Sequence, residues 1–161
     1  MNKKCDIVMD IEAISLNSQN YHIYIDQIDN IEQKTFVGAW SKDAYIKDIC
    51  ENDLAFYVVL AKENTVVAYA NYWLIDEVGN INNVAVADDF RQQGYGLMLM
   101  KSLIEDCRLR GGKSMTLEVR ESNFVAIALY EKLGFINSGI RPDYYEDNHE
   151  NAIIMWLNFD I

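Results

Sequence analysis

The sequence predicts an α/β fold built on a mixed sheet, and three observations support this class. Two apolar runs at residues 54–61 and 65–75, rich in valine and aromatic side chains, flank three polar residues, which is typical of a strand hairpin. Apolar residues recur at helical spacing on both sides of that hairpin. A loop with two glycines at residues 91–96 then connects a strand to an amphipathic helix. Strands interleaved with helices in this order indicate an α/β architecture.

The part of the chain before the hairpin contains two predicted helices. The first spans about residues 24–36, and its apolar residues recur at helical spacing, at Ile25, Ile28, Ile31 and Phe36. The second begins at Ser41, whose hydroxyl suits the N-cap position, and its apolar residues include Ala44, Tyr45 and Ile49. Residues 1–22 show no such pattern, and we expect an irregular lead and a first strand there.

The part after the hairpin repeats the alternation of strand and helix. A turn at residues 76–80 is expected to precede a third strand that ends near Val86. The helix after the glycine loop has one apolar face, formed by Leu97, Met100, Leu103, Ile104 and Cys107. It should end at the glycine pair 111–112. A strand at 115–119, a short helix capped by Asn123 and ended by Gly134, and a last strand at 152–159 complete the prediction.

Composition narrows the class of protein further. The 161 residues are half apolar, which suffices for one domain over residues 1–161 with its own core. No apolar run approaches the ~20 residues that a membrane span needs, and the first residues lack the pattern of a secretory signal. We therefore expect a cytoplasmic protein. A net charge of −11 disfavours a nucleic-acid partner; it fits an amine or a basic protein tail, and equally serves solubility.

The cysteines and histidines predict neither a disulfide framework nor a metal site. Cys5, Cys50 and Cys107 are odd in number and widely spaced, which favours a reducing compartment. His22 and His149 lie far apart in the sequence, with no cysteine or further histidine near either. No metal is therefore expected.

The glycine loop is the first candidate for a ligand site, and it consists of Arg91, Gln92, Gln93, Gly94, Tyr95 and Gly96. The first N–H groups of the helix that follows are unpaired and carry partial positive charge. Glycines let the backbone approach a ligand closely, so the loop predicts a pyrophosphate site. A plain strand-to-helix turn would explain the same glycines. Neither the P-loop pattern nor the dinucleotide pattern G-x-G-x-x-G is present.

Further motifs surround this loop in a fixed order. They are A-W-S at residues 39–41, N-V-A-V at 83–86, L-E-V-R-E-S-N at 117–123, A-I-A-L-Y-E-K-L-G-F at 126–135, G-I-R-P-D-Y-Y at 139–145 and N-A-I-I-M at 151–155. Together with R-x-x-G-x-G in the loop, the string resembles the GNAT acetyltransferase superfamily. Within it, the string looks like the bacterial ribosomal-protein-alanine N-acetyltransferase (RimI-type) branch.

The resemblance implies a GNAT fold of the α+β type, in which a mixed, mostly antiparallel central sheet is flanked by helices. It also implies direct transfer of an acetyl group from acetyl-CoA, as co-substrate, to an amine. Such a reaction needs a base to take a proton from the ammonium and an acid to protonate the departing thiolate. It also needs a donor for the developing oxyanion.

Glu118 and Tyr130 match the family's base and acid. Glu118 lies between Leu117 and Val119 on an alternating strand, so its side chain should point to the opposite face from theirs. The Tyr130 phenol can donate to a sulfur atom. An ordinary exposed glutamate and a core tyrosine are the alternatives at these two positions.

The resemblance also implies the binding residues. The backbone of Val84, Ala85 and Val86 would pair with the amides of the cofactor arm, the loop would hold the pyrophosphate, and Asn123 would hydrogen-bond the arm as well as cap its helix. The residues that match the border of the peptide groove are Trp40, Tyr144 and Tyr145. Two positions depart from the branch, since Ala39 replaces its usual proline and Asp143 its usual small or basic residue.

Three functions are compatible with these residues. The first, which we favour, is acetylation of a protein N-terminus, implied by the branch to be the N-terminal alanine of a ribosomal protein. The second is the same chemistry on a small free amine such as a polyamine, which an acidic surface would attract. The third is a CoA-binding regulatory domain without catalysis. No nucleic acid and no membrane is expected as a partner.

Overall fold

A computed structural model describes residues 10–160 of the chain. The strand expected within residues 1–22 is β1, Ile11–Leu16; residues 1–9, which include Cys5, lie outside the described part. The two predicted helices follow as α1, Ile25–Thr35, and α2, Lys42–Glu51. Ser41 is the N-cap of α2, as predicted, because its Oγ accepts a hydrogen bond from the backbone N–H of Ala44 at 3.1 Å.

The predicted hairpin consists of β2, Ala55–Lys62, and β3, Thr65–Ile75, and the next strand is β4, Val78–Val86. The turn predicted at residues 76–80 is wrong in length, because β4 begins at Val78. Asp76 and Glu77 take φ values of 47° and 66°. A two-residue turn with two positive φ values matches the twist of a hairpin, so the strand resumes earlier than the sequence pattern indicates.

The elements predicted after the glycine loop lie where the sequence places them, and the structure adds a strand at Ile136–Arg141, for which no range was predicted. The helix after the glycine loop is α3, Tyr95–Leu109, followed by β5, Ser114–Arg120, and α4, Phe124–Lys132. The chain closes with β6, Ile136–Arg141, and β7, Ala152–Asn158. Gly111 follows α3 with φ 89°, the left-handed conformation that ends a helix at glycine. In the part of the chain that the structure describes, no helix combines the length and apolar character that crossing a bilayer requires.

Within residues 10–160, the sheet has seven strands in the order β1-β2-β3-β4-β5-β7-β6. All neighbours are antiparallel except β4 and β5, which are parallel. The mixed, mostly antiparallel sheet flanked by helices is therefore confirmed. Helices α3 and α4 pack on one face, where Leu99, Met100 and Leu103 join the core, and α1 and α2 pack on the other, through Ile28 and Tyr45.

Two irregularities of β4 shape the sheet at its centre. Its pairing with β5 covers only Val78–Asn80 against Ser114–Thr116, so the two strands separate beyond these residues. Against β3, Asn71 faces Asn83 while Tyr72 faces Ile81, which leaves Asn82 as a bulged residue. The backbone N–H of Asn83 donates to the side-chain oxygen of Asn71 at 3.1 Å instead. A bulge re-aims side chains, and this one lies beside the gap between β4 and β5.

Candidate active site

A cleft of about 630 Å³ opens where β4 and β5 separate. Its walls come from the end of α1 and the segment after it, from β4, from β5, from α4 with its N-cap, and from the loop between β6 and β7. Six of the residues predicted from the sequence line it, and these are Trp40, Val84, Glu118, Asn123, Tyr130 and Tyr145. The fold therefore brings the predicted base, the predicted acid and two predicted substrate-binding aromatics into one cleft.

Glu118 reaches the cleft because of the alternation of β5. Leu117 and Val119 are buried at 2% and 5% exposure, and Glu118 between them points to the opposite face, as predicted. One of its carboxylate oxygens accepts a hydrogen bond from Nε of Arg141 on β6 at 3.0 Å. The carboxylate is thus oriented by a neighbouring strand and still lines the cleft, where it could accept a proton.

Tyr130 approaches the cleft from α4. Its ring is buried and packs on Phe135, with ring centroids 5.8 Å apart. Burial, together with the nearby Tyr145 phenol, raises the pKa of Tyr130 to about 12. The phenol therefore remains protonated near neutral pH and can donate a proton. Tyr130 is therefore part of the core and also lines the cleft, so a core position and a role in the cleft do not exclude each other.

The raised pKa of Tyr130 predicts a loss of stability at alkaline pH. Below pH 10 the phenol is protonated in both the folded and the unfolded chain, and the stability is fully present. Between pH 10 and 12 the unfolded chain loses the proton while the folded chain keeps it, so the free energy of unfolding falls by about 3 kcal/mol. Urea unfolding of wild type and Tyr130→Phe at several pH values checks this, and the wild-type curve should fall more steeply above pH 10. Parallel curves would contradict the assignment.

In the described part of the chain, the last residues of β4 have no partner strand on the side that faces β5, and Val84 among them lines the cleft. Val84 and Val86 pair with Ala70 and Ala68 of β3 on one side, and on the other side the pairing with β5 has already ended at Asn80. The side chain of Ala85 is buried against the α1 side of the sheet. An extended ligand that carries amides could add to this edge as a strand does, so the geometry fits the predicted role of residues 84–86.

The glycine loop lies outside the lining of the cleft, and its geometry fits an anion. Gly94 is the N-cap of α3 with φ 84°, and α3 begins at Tyr95, so the unpaired N–H groups of a helix start are presented there. A Cβ at Gly96 would come within 3.3 Å of Leu129, which explains that glycine by close packing on α4. Arg91 braces the turn by donating to the Val86 carbonyl oxygen and pairing with Asp88, at 3.1 and 3.0 Å.

The other loop residues and the cap hold the backbone in place. Gln92 takes φ 59°, and Gln93 donates to the backbone oxygen of Asp89 at 3.2 Å. The Tyr95 ring packs on Phe90. Asn123 caps α4 as predicted, since its Oδ1 accepts from the N–H of Ala126 at 3.2 Å. It also lines the cleft, so capping and ligand binding are both open to it.

The three predicted substrate-binding aromatics are not equivalent. Trp40 and Tyr145 line the cleft, and the Trp40 ring packs on Tyr45 with centroids 5.2 Å apart. Tyr144 does not line it; its side chain is 46% exposed and meets the Tyr145 ring edge to face, 5.1 Å away. A contact of Tyr144 with an acceptor therefore stays a prediction that the cleft geometry supports less well.

Sequence reasoning missed a buried carboxylate at the cleft, Glu32 of α1, which is 1% exposed. It accepts hydrogen bonds from the phenols of Tyr45 and Tyr69, from Nδ2 of Asn83 at 3.0 Å and from the backbone N–H of Trp40 at 3.1 Å. Burial, first of all, raises the pKa of both phenols well above the ordinary value. Nothing in the helix pattern distinguishes this glutamate, because its partners come from distant parts of the chain.

The arrangement fits one class of enzyme, the acetyl-CoA-dependent N-acetyltransferases. It combines a cleft between two separating strands, an oriented carboxylate, a protonated phenol, and a glycine loop at a helix start. The chain belongs to the acetyltransferase (GNAT) family, whose pattern matches residues 25–135. This confirms the resemblance inferred from the motifs.

Named relatives and solved structures agree with this assignment. Ribosomal protein bS18-alanine N-acetyltransferase of Escherichia coli (strain K12) is 38% identical over 130 residues, which cover 80% of this chain and 86% of the relative. The crystal structure of the ribosomal-protein-S18-alanine N-acetyltransferase from Escherichia coli has a TM-score of 0.82 at 31% identity, over 94% of this chain and 96% of that one. Ard1 from Thermoplasma volcanium reaches 0.81 at 24% identity, over 94% and 99%, and shows the fold alone.

Proposed function

We propose that this chain transfers the acetyl group of acetyl-CoA to the N-terminal α-amino group of a protein, namely the N-terminal alanine of ribosomal protein bS18, in the cytoplasm. The observation that carries the proposal is that Glu118 and Tyr130 line one cleft with Trp40 and Tyr145. The proposed base and acid therefore lie in the same cleft as two aromatic side chains that can contact a peptide. The relatives named for bS18 support the choice of acceptor.

The residues of the chain divide the reaction between them. Bound acetyl-CoA supplies the thioester whose carbonyl carbon the amine attacks. Glu118 takes a proton from the acceptor ammonium, directly or through a water, so that the nitrogen can form the new N–C bond. The free backbone edge of residues 84–86 holds the cofactor arm and presents an N–H to the carbonyl oxygen. Tyr130 gives its proton to the sulfur as the C–S bond breaks, the nitrogen releases its second proton as the amide forms, and uptake of one proton restores the phenol, so that the products are the amide and the thiol.

A polyamine acceptor is the second candidate, since acidic side chains line the cleft. These are Glu32, Glu118, Asp147 and Glu150. Asp147 and Glu150 are paired with Arg120, at 3.0 and 3.5 Å, so this lining attracts a polycation less than four acids would. The pairing favours an acceptor with a single ammonium at its end.

Thiol release from acetyl-CoA tests the two candidates side by side. The acceptors are a peptide with the amino-terminal sequence of bS18, the same peptide with a blocked α-amino group, and spermidine. We expect turnover with the first peptide alone. Turnover with spermidine and not with the peptide would overturn the proposal. Equal turnover of the blocked peptide would show that a side-chain amine, and not the α-amino group, is acetylated.

Glu118→Gln is expected to change the pH dependence of kcat/KM for the peptide. Without a base, only acceptor already present as the neutral amine reacts, so the acidic limb should shift towards the α-amino pKa of about 7.7–8.0. The loss of rate should be larger at pH 6.5 than at pH 9. Steady-state rates across this range measure the effect, with Glu121→Gln at the exposed end of the same segment as the control. Superimposable profiles for Glu118→Gln and wild type would assign the base to another group.

A further inference from the structure

Arg120 lies two residues after Glu118 on β5, so both side chains point to the same face of the sheet. It also lines the cleft. Its guanidinium donates to both carboxylate oxygens of Asp147, at 3.0 and 3.1 Å, to Asn148 at 3.2 Å and to Glu150 at 3.5 Å. All three acceptors belong to the loop between β6 and β7, within residues 142–151.

The same guanidinium stacks on Tyr145, with its central carbon 3.9 Å from the ring centroid. Tyr145 is half-buried and forms part of the cleft wall. Burial raises the pKa of Tyr145 to about 12, against the opposing effect of Arg120, so the ring beside the guanidinium is neutral at physiological pH. A cation over a neutral aromatic face is attracted to it. Arg120 thus fixes the ring as well as the acids of the loop.

The loop is closed on itself, and it is joined to β5 at its base and at its tip. The backbone N–H groups of Tyr144 and Tyr145 donate to the carbonyl oxygen of Glu150, both at 3.2 Å, which closes the loop. At the base, Glu150 Oε1 accepts from the N–H of Ser122 at 2.8 Å, and the hydrogen bonds from Ser122 lower the pKa of Glu150 to about 2. At the tip of the loop, Arg120 of β5 contacts Asp147 and the Tyr145 ring.

We propose that Arg120 is a positioning residue, which holds the Tyr144–Glu150 loop and the Tyr145 ring in place as the acceptor side of the cleft. The proposal rests on the proposed function in that the cleft receives the acceptor. Arg120 acts on acceptor binding through Tyr145, whereas Glu118 and Tyr130 act on the reacting atoms. The expected signature is a raised KM for the acceptor with little change in kcat.

A guanidinium suits this position and an ammonium does not. It is planar, its two terminal nitrogens reach separate acceptors, Nη2 contacting Asp147 and Nη1 contacting Asn148 and Glu150, and its face stacks on a ring at the same time. Lysine keeps the charge but has one nitrogen and no planar face, so it cannot reach Asp147 and the Asn148–Glu150 pair from two sides and also stack on Tyr145. Arg120→Lys therefore separates the geometry of the group from its charge, and Arg120→Ala removes both.

The test compares Arg120→Lys, Arg120→Ala and wild type in two measurements. The first is amide hydrogen exchange of residues 143–150 in the free protein, which needs no substrate. The second is the steady-state kinetics of peptide acetylation with acetyl-CoA. We expect faster exchange in the loop and a KM for the peptide raised about tenfold or more, with kcat within about threefold and the KM for acetyl-CoA unchanged. Melting temperatures show whether each variant is folded, and Arg120→Lys serves if Arg120→Ala is not.

Arg110→Lys is the matched control. Arg110 also combines an ion pair, to Asp106 at 3.0 Å, with stacking on a ring, that of Phe56 at 4.1 Å, and it does not line the cleft. Arg110→Lys should leave both the hydrogen exchange of the loop and the KM for the peptide unchanged.

Three results would overturn the proposal: unchanged exchange in the loop, faster exchange with an unchanged KM for the acceptor, or a loss confined to kcat. Failure of the proposed function looks different, because wild type would then acetylate no peptide. In that case the proposal for Arg120 is tested with the amine that wild type does acetylate, by comparing loop exchange and the KM for that amine between wild type and the Arg120 variants.

Discussion

Tyr130→Phe is expected to lower kcat by about 10²- to 10⁴-fold, the range that proton transfer by a positioned side chain covers, and to leave the affinity for acetyl-CoA nearly unchanged. The substitution removes only the hydroxyl, and the ring that packs on Phe135 is retained. The loss therefore measures the proton delivered to the departing thiolate. Because burial keeps the pKa of the phenol near 12, wild type should not lose activity through Tyr130 deprotonation below about pH 10.

Single-turnover and steady-state rates with the bS18 peptide measure this effect, with acetyl-CoA binding followed by calorimetry. Tyr21→Phe is the control, since Tyr21 is a half-buried tyrosine before α1, outside the cleft lining. A kcat for Tyr130→Phe within about threefold of wild type would make Tyr130 a core residue only, and the acid would have to be sought elsewhere.

The elements with strong local patterns could be predicted from the sequence. Caps and stops are set by one or two residues, and Ser41, Gly111 and Asn123 act as their residue types indicate. The turn predicted after β3 is too long, because Asp76 and Glu77 both adopt the left-handed backbone conformation and complete the turn in two residues. Neither residue type announces that conformation as Asn-Gly would.

Motif order predicted the composition of the site better than the pattern of any single element. Glu118 and Tyr130 meet in one cleft although α4 and β5 contribute them from different layers. The cleft itself was not predictable, since it depends on where the pairing of β4 with β5 stops. The same holds for Glu32 and Arg120, whose partners lie 8 to 51 and 25 to 30 residues away along the chain. Local periodicity carries no information about such partners.

Glu32→Ala is expected to reduce the free energy of unfolding by about 3 kcal/mol or more, because each buried donor left without a partner costs about 1–3 kcal/mol. The phenols of Tyr45 and Tyr69, an amide N–H of Asn83 and the backbone N–H of Trp40 would all lose their acceptor. Each of these donors is buried or half-buried, and a buried donor without a partner is costly. Urea unfolding at neutral pH measures the loss.

Glu51→Ala is the matched control, an exposed glutamate at the end of α2, and it should change the free energy of unfolding by no more than about 0.5 kcal/mol. Glu32→Gln should fall between the two, because an amide keeps one acceptor oxygen but turns a donor towards the phenols. A loss for Glu32→Ala below about 1 kcal/mol would mean that water replaces the carboxylate without strain. A loss of the expected size would show that the wall of the cleft at Trp40 depends on the carboxyl group of Glu32 buried beneath it.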